Sequence, residues 1–489
     1  MFNKYRLFII SFVEGASVMS AEISGAKLLA PFFGSSLYVW SSVMAITLGG
    51  LAGGYFFGGR LSRKDHKEKN VLYLLIAAVC CLCLMPFMNS IFYVAGAHFS
   101  LIPAVIISVC LLLFPTMFCM GSISPMIISM LTHTTDTSGE NSGKIYAIST
   151  LGGIVATFMC GFYLIPTIGV KLTLICFAVL LALASLLLLS KKSSKAFMVI
   201  VLPVLCFSLY SFAKSHRNLY TVYETDGILG KLEIREEPSR ANESVLIRKL
   251  LINTIVQTEM NIDSRASVSE YVHLLEKNSI YFPKGEALVL GLGGGVVSNM
   301  LTDKGYKVTG VEFDERIIDM AKRFFYLNSA VKTVCDDARH FINVSDKKYK
   351  LILFDIFKAE EQPVHVITKQ SLVKLKTMLD TNAVVLINTH GYLTGIKGLG
   401  TQCLLATLKQ AGFHLKICAS GEDEAYRNLL IVASLKPLDV SLHNELYPLI
   451  MSDNGAINED DKPVMELLNA PANQEWRTNY IRNYILNSY

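Results

Sequence analysis

The chain has 489 residues, of which 52% are hydrophobic and 17% charged, with a formal net charge of +5 at pH 7. So apolar a composition excludes an ordinary soluble enzyme, and a positive charge that is modest and scattered leaves no footprint for nucleic acid. Eight of the eleven cysteines (Cys80, Cys81, Cys83, Cys110, Cys119, Cys160, Cys176 and Cys206) fall in apolar stretches, where a thiol acts as a small hydrophobe, so neither a disulfide framework nor a metal site is expected.

The apolar excess lies before residue 214. From Val71 to Met130 there is no Asp, Glu, Lys or Arg, and from Ile145 to Ser190 only Lys171. Membrane spans are predicted over 7–30, 36–58, 70–95, 101–130, 144–165, 170–190 and 196–213, each near the ~20 residues a helix needs to cross hydrocarbon. Met1 to Arg6 runs into the first span without an A-x-A-like cleavage pattern, which predicts a retained anchor. Pro115, Gly121 and Pro125 predict a kink or break in the fourth span, tolerated only where protein or a water-filled cavity satisfies the freed backbone groups. Gly49, Gly50, Gly53, Gly54, Gly58 and Gly59 stripe the second with small residues, predicting close helix contact.

Glu14 and Glu22 interrupt the first span, with Lys27 five residues beyond the second. An ionised carboxylate in hydrocarbon must face the bundle interior, carry a partner or be protonated. Glu14 is read as structural. For Glu22 two readings stand: a polar pocket or ion path, or an ion pair with Lys27 near the interface.

Beyond residue 214 the pattern changes. Residues 220–257 read as extended pieces with turns at Asp226-Gly227 and Pro238-Ser239. From Glu286 strands and helices alternate as in an open α/β sheet: strand Ala287–Leu290, helix 296–304, strand Lys307–Glu312, helix 314–326, strand Val331–Cys335, strand Lys350–Asp355, helix 366–379, strand Ala383–Asn388 and helix 398–411. Strands His414–Cys418 and Asn428–Ser434 close the series as a late hairpin. The fold class is a membrane α-helical bundle plus a Rossmann-like α/β domain, in which seven strands with a late hairpin suit the class that binds S-adenosyl cofactors. Domains are expected at 1–213 (membrane), 214–284 (small β-region and linker), 285–440 (Rossmann-like) and 441–489 (a helical C-terminal segment).

Gly291-Leu292-Gly293-Gly294-Gly295 follows a strand and precedes a helix, the context in which glycines let backbone approach a ligand. Glu312 ends the second strand, 21 residues after Gly291, where a carboxylate can bond both hydroxyls of a ribose. Asp336-Asp337 follows the third strand, at the height of an adenine amino group, and Asp355 ends the fourth, facing the crevice. Each of these carboxylates could instead be a helix cap or turn residue. His390, after the fifth strand, is read as structural.

These residues, with Leu250-Leu251-Ile252-Asn253 through Gln257 and with Tyr271, resemble the spermidine synthase (polyamine aminopropyltransferase) family over about residues 220–435. The apolar half resembles the amino-terminal part of fused membrane spermidine synthase-like proteins, through Ser20-Ala21-Glu22, Leu28-Leu29-Ala30-Pro31-Phe32-Phe33-Gly34, Gly53-Gly54-Tyr55, Gly58-Gly59-Arg60, Ile145-Tyr146-Ala147 and Leu151-Gly152-Gly153. The resemblance implies a class I methyltransferase/spermidine synthase fold with a small β-region before it, and commonly a homodimer. It implies that Gly291, Gly293, Gly295, Glu312, Asp336, Asp337 and Gln257 hold the nucleoside of decarboxylated S-adenosylmethionine, with no metal. Asp355 would be the acidic group beside the attacking amine, with Tyr271, His273 and Lys358 at the substrate. The chain departs from the soluble enzymes at Val296, where they carry an Asp for the aminopropyl ammonium, at Lys358, where they carry a second Asp, and at Val272-His273, where they carry a His-Glu or Gln-Glu pair. Three contacts to cationic amines are thereby lost.

The expected function is aminopropyl transfer to a small amine or a membrane-borne acceptor. A second reading uses S-adenosylmethionine itself and transfers a methyl or aminocarboxypropyl group, with Lys358 meeting the cofactor carboxylate. A third is a non-enzymatic nucleoside or polyamine sensor on a transporter-like bundle. The basic loops Arg60–Lys69 and Lys191–Lys195 fit six spans with the amino terminus inside, in a bacterial inner membrane. A seventh crossing would export the soluble half, yet its cofactor is made in the cytoplasm; 196–213 then re-enters or lies along the interface, or the domain works outside. The cytoplasm is the side expected.

Overall fold

The computed structural model describes residues 2–33, 37–99, 101–132, 134–189, 195–215, 219–227, 229–239, 242–356, 364–446 and 455–480. It divides into two compact units, Met1–Leu219 with Thr225–Lys231, and Tyr220–Glu224 with Leu232–Tyr489.

The first unit is helical: α1 (Phe2–Phe33), α2 (Leu37–Leu61), α3 (Lys67–Leu84), α4 (Asn89–His98), α5 (Leu101–Gly121), α6 (Ile123–Leu131), α7 (Ser138–Met159), α8 (Ile165–Ile168), α9 (Val170–Leu186) and α10 (Lys195–Ser215). Among the described residues, the five stretches Lys4–Phe33, Tyr38–Leu61, Lys67–Phe87, Ile102–Leu131 and Ser138–Ile168 are long and apolar enough to cross a membrane, whereas Val170–Leu186 and Val201–Ser211 are shorter. The sixth predicted span is thus an apolar helix below that length, and the seventh lies within α10 (Lys195–Ser215).

Interruptions follow from the prolines, though not always where expected. Pro115 is absorbed inside α5; the break falls at Ser122, because Pro125 has no N–H to give the Gly121 carbonyl. The predicted third span is also broken, by a 3₁₀ turn Met85–Phe87 around Pro86, and the fifth passes through a π-helical turn at Cys160–Leu164.

Small residues set the helix contacts. A Cβ on Gly50 would lie 2.7 Å from the Met117 Cβ, and on Gly54 2.5 Å from the Phe118 carbonyl oxygen, while on Gly58 it would collide with the Ser122 carbonyl; Gly49 and Gly59 face open space. On α1 and α7, Gly15 and Gly152 leave the same lack of room, against Ser149 and Phe12. In hydrocarbon, where water expulsion gives little drive, such close backbone approach is what makes dispersion contacts dense.

After the helices, β1 (Thr221–Gly227), β2 (Gly230–Pro238), β3 (Leu246–Ile252) and β4 (Ile255–Asn261) form a four-stranded sheet in that order, which lies in the second unit except for the β1–β2 turn Thr225–Lys231. Then come α11 (Glu270–Asn278), β5 (Glu286–Leu290), α12 (Val296–Asp303), β6 (Lys307–Glu312), α13 (Glu315–Phe324), β7 (Lys332–Cys335), α14 (Ala338–Val344), β8 (Tyr349–Phe354), α15 (Lys369–Leu375), β9 (Leu379–His390), α16 (Leu399–Gln410), β10 (His414–Ala419), β11 (Asn428–Ser434) and α17 (Met465–Tyr480). The seven-stranded sheet runs β10-β11-β9-β8-β5-β6-β7, with β5 to β9 parallel and β11 antiparallel to its neighbours. In strand number along the chain this is 3-2-1-4-5-7-6, the class I methyltransferase and spermidine synthase order, a doubly wound Rossmann-like sheet.

Alternate residues build the two cores. Leu288, Leu290, Ile352 and Phe354 pack under Ile342 of α14, Leu372 of α15 and Leu404 of α16, and Ala287, Val289, Leu351 and Leu353 under Leu275 of α11 and Leu301 of α12. Two expectations need correction. Helix α14 was not anticipated, because seven residues capped by Asp337 carry little periodic signal. The predicted helix 366–379 ends at Leu375 and gives way through a 3₁₀ turn to β9, which begins at Leu379.

Candidate functional site

The site grows from the carboxyl ends of the parallel strands, where an open α/β sheet leaves its crevice. The glycine loop turns between β5 and α12. Gly291, Gly293 and Gly295 have φ of +90°, +52° and +77°, and a side chain on Gly291 would collide with the Asp355 carbonyl. The loop amides are all engaged: those of Leu292 and Gly293 donate to Glu312 Oε2 at 3.1 and 3.5 Å, and that of Gly294 to Thr258 Oγ1 at 2.8 Å. On its other oxygen Glu312 accepts from Phe313 and Asp314 at 2.9 and 3.2 Å.

Glu312 is 8% exposed, so burial raises its pKa, and the four amides oppose that rise by stabilising the charged form. The carboxylate is fixed in one orientation at the β6 end. Gln257 sits between Val256 and Thr258 on β4, at the irregularity where pairing with β3 shifts between Leu250 and Leu251, next to Thr258, the residue that touches the loop.

Asp337 caps α14, accepting from the amides of Arg339 and His340 at 2.9 and 3.0 Å, and lies 3.5 Å from His365 Nε2. Asp336 pairs with His340 Nδ1 at 2.8 Å. The cap role that sequence left open for Asp337 is therefore real, and its carboxylate stays partly exposed at the rim.

Asp355 follows β8. The Tyr271 hydroxyl donates to its Oδ2 at 2.9 Å and Asn388 Nδ2 to its Oδ1 at 2.9 Å, and Asn388 is held by Asn428 Nδ2 at 3.0 Å. Burial raises the Asp355 pKa above the usual carboxylate range, partly offset by these two donors. Burial and the adjacent Asp355 charge push the Tyr271 hydroxyl well above the ordinary tyrosine value, so it remains a proton donor in this bond. Such a carboxylate is aimed, stays basic and can accept a proton.

Three residues here escaped sequence reasoning. Asn388 and Asn428 had one available signal, polar side chains within otherwise apolar buried strands; Thr258 had none. Of the predicted substrate residues, Tyr271 reaches Asp355, His273 is exposed two positions further along α11, and Lys358 lies outside the described residues. Val272 and Val296 are buried apolar residues of the core. Among the described residues no group of three or more His, Cys, Asp or Glu is arranged to hold a metal ion.

Of the two carboxylates of α1, Glu14 has defined partners among the described residues. Glu14 is 2% exposed and accepts from Ser149 Oγ at 3.1 Å and Ser124 Oγ at 3.5 Å, while Glu22 is half-buried on α1.

No protein-family model matches the chain. A polyamine aminopropyltransferase of Vibrio vulnificus (strain CMCP6) is 33% identical over 129 residues, 24% of this chain and 42% of that protein. An N-terminal histidine N-methyltransferase of Emericella nidulans is 32% identical over 110 residues, 22% of this chain and 20% of that protein. The chain thus spans well under half the length of the curated relatives it matches. Among solved structures, a probable spermidine synthase from Corynebacterium glutamicum aligns with 17% identity and a TM-score of 0.38, covering 45% of this chain and 81% of that one. The carboxyl-terminal part of the chain is homologous to the spermidine synthase, or polyamine aminopropyltransferase, family, and the five long apolar helices before it are consistent with a fused membrane domain.

Proposed function

We propose that the chain is a membrane-bound transferase that moves an aminopropyl group from decarboxylated S-adenosylmethionine to an amine. The observation that carries this reading is the Tyr271–Asp355–Asn388 constellation, set beside a glycine loop that is tied to Glu312. Glu312 would take the ribose hydroxyls on the lone pairs its amides leave available, and Asp337 the adenine edge. The acceptor nitrogen would form its bond to the aminopropyl carbon as the carbon–sulfur bond breaks. The bonding pair leaves with sulfur as neutral methylthioadenosine, and the nitrogen's proton passes to Asp355. Alignment and charge placement supply the rate. The bilayer placement, a soluble unit on the cytoplasmic side and a homodimer belong to the same proposal.

Methylthioadenosine release from decarboxylated S-adenosylmethionine, measured on detergent-purified protein with a panel of amines, tests it. No release with any acceptor would end the reading. The similarity to an N-terminal histidine N-methyltransferase favours a second one, in which intact S-adenosylmethionine donates a methyl or aminocarboxypropyl group. Stronger thermal stabilisation by S-adenosylmethionine than by its decarboxylated form would support that alternative, and the reverse ranking the first.

A further inference from the structure

The C-terminal helix brings aromatic rings to the acceptor end of the crevice. Helix α17 starts on one face of the seven-stranded sheet, where Met465 packs with Leu404 and Leu408 of α16. Its far end arrives at the strand ends. The Trp476 ring lies 5.8 Å, centroid to centroid, from His390, the last residue of β9, and stacks on Tyr480 at 5.1 Å. Tyr480 is pinned in turn: its hydroxyl accepts from the Val256 amide at 3.1 Å and donates to the Thr254 carbonyl at 3.0 Å. The helix is therefore anchored to the β3–β4 turn as well as to the sheet.

His390 and Asn388 are two residues apart on one strand and so face the same side, and Asn388 holds Asp355. Along β9 the order from Asp355 is therefore Asn388, then His390, whose ring packs on Trp476. Two acidic side chains of this region are paired with cations. Glu475 pairs with Lys397, and Glu424 with Arg427 at 2.9 Å, while Arg427 also donates to the Gly391 carbonyl. Asp355, by contrast, is held by the neutral donors Tyr271 and Asn388.

We propose that the acceptor carries a single protonatable nitrogen on a flat aromatic body: the nitrogen meets Asp355, and the ring lies against Trp476 and His390. This rests on the transferase reading and narrows its substrate class. A second ammonium, as in a diamine, meets buried Val272 and exposed His273 where the soluble enzymes carry a His-Glu or Gln-Glu pair, whereas an aryl group gains offset stacking on the Trp476 and His390 rings. The reaction is the one given above, with the acceptor's alkyl-borne amine nitrogen forming the new bond to carbon, sulfur keeping the electron pair and Asp355 taking the proton.

The chain has two tryptophans, Trp40 and Trp476, so full-length Trp40→Phe protein in detergent reports on Trp476 alone. Titration with phenethylamine, in the presence of methylthioadenosine, is expected to shift and saturate the indole emission, with putrescine leaving it unchanged. In transfer assays Trp476→Ala should raise the KM for phenethylamine about ten-fold, Trp476→Phe should restore most of it, and neither should change methylthioadenosine affinity. Tighter binding of putrescine than of phenethylamine, or no response to either amine while the nucleoside still binds, overturns the proposal and leaves the transferase reading standing. Failure of the nucleoside to bind would sink the transferase reading instead, and an emission shift with phenethylamine in that case would still establish the ring-binding pocket.

Discussion

Asp355 concentrates the chemistry because burial and two neutral donors act on it in opposite directions. Burial favours its protonated form, while the bonds from Tyr271 and Asn388 favour the carboxylate. Asp355→Asn keeps the shape but loses the base and one of its two acceptor oxygens, so kcat should fall by about 10²–10⁴-fold in a methylthioadenosine-release assay. Stability should move the other way. A carboxyl whose pKa is raised on folding favours the folded state below its unfolded pKa and loses that contribution as pH rises through the folded pKa. The substitution removes a buried group whose charged form is disfavoured, so the melting temperature of the variant relative to the parent should shift in the variant's favour as pH rises. Asn388→Leu removes a donor that lowers the Asp355 pKa, so the acid limb of the kcat/KM profile should shift to higher pH; an unmoved limb would show that Asn388 does not tune the base. Asp355, Glu312 and the glycines were legible in sequence because strand ends are marked by apolar runs that stop at a carboxylate or glycine. Asn388 and Thr258 were not, since their partners lie 33 and 36 residues away, and only the fold brings them together.

At the scale of elements, strands were easier to find than the short helix α14, and helix interruptions were easier to foresee than to place. Proline marks where an amide is missing, but which carbonyl goes without depends on the register of the neighbouring turn, so Pro115 is carried inside α5 while Pro125 coincides with a break. The glycine stripe of α2 was legible as a contact surface, yet its orientation was not: Gly50, Gly54 and Gly58 face α5 and the Ser122 junction, and Gly49 and Gly59 face away. That division makes a paired prediction. Gly54→Val should lower the melting temperature in detergent markedly, through collision with the Phe118 carbonyl, whereas Gly49→Val should leave it within a degree or two of the parent. Equal effects at the two positions would mean that the observed α2–α5 contact is not what holds the helices together.

For the whole molecule, the open question posed by the sequence is which side of a bilayer the soluble unit occupies, and one thiol can answer it. Cys335, at the end of β7, is exposed, whereas Cys403 and Cys418 in the same unit are buried. Partial shielding of its sulfur and the negative charge of Glu315 and Asp314 raise its pKa, so labelling belongs at mildly alkaline pH. With the soluble unit in the cytoplasm, a membrane-impermeant maleimide should modify Cys335 only after the cells are opened, and Cys335→Ser should abolish that signal; labelling of intact spheroplasts would place the unit outside. Inside the cell the unit would meet abundant nucleotides carrying phosphate. The turn after β5 is poorly made for them: its N–H groups are spent on the Glu312 carboxylate and the Thr258 hydroxyl, so a diphosphate entering there would find negative charge where a dinucleotide-binding turn offers open donors. On the proposed function, the same few hydrogen bonds that steady the crevice would disfavour a phosphate at this turn and leave it to cationic or uncharged adenosine compounds.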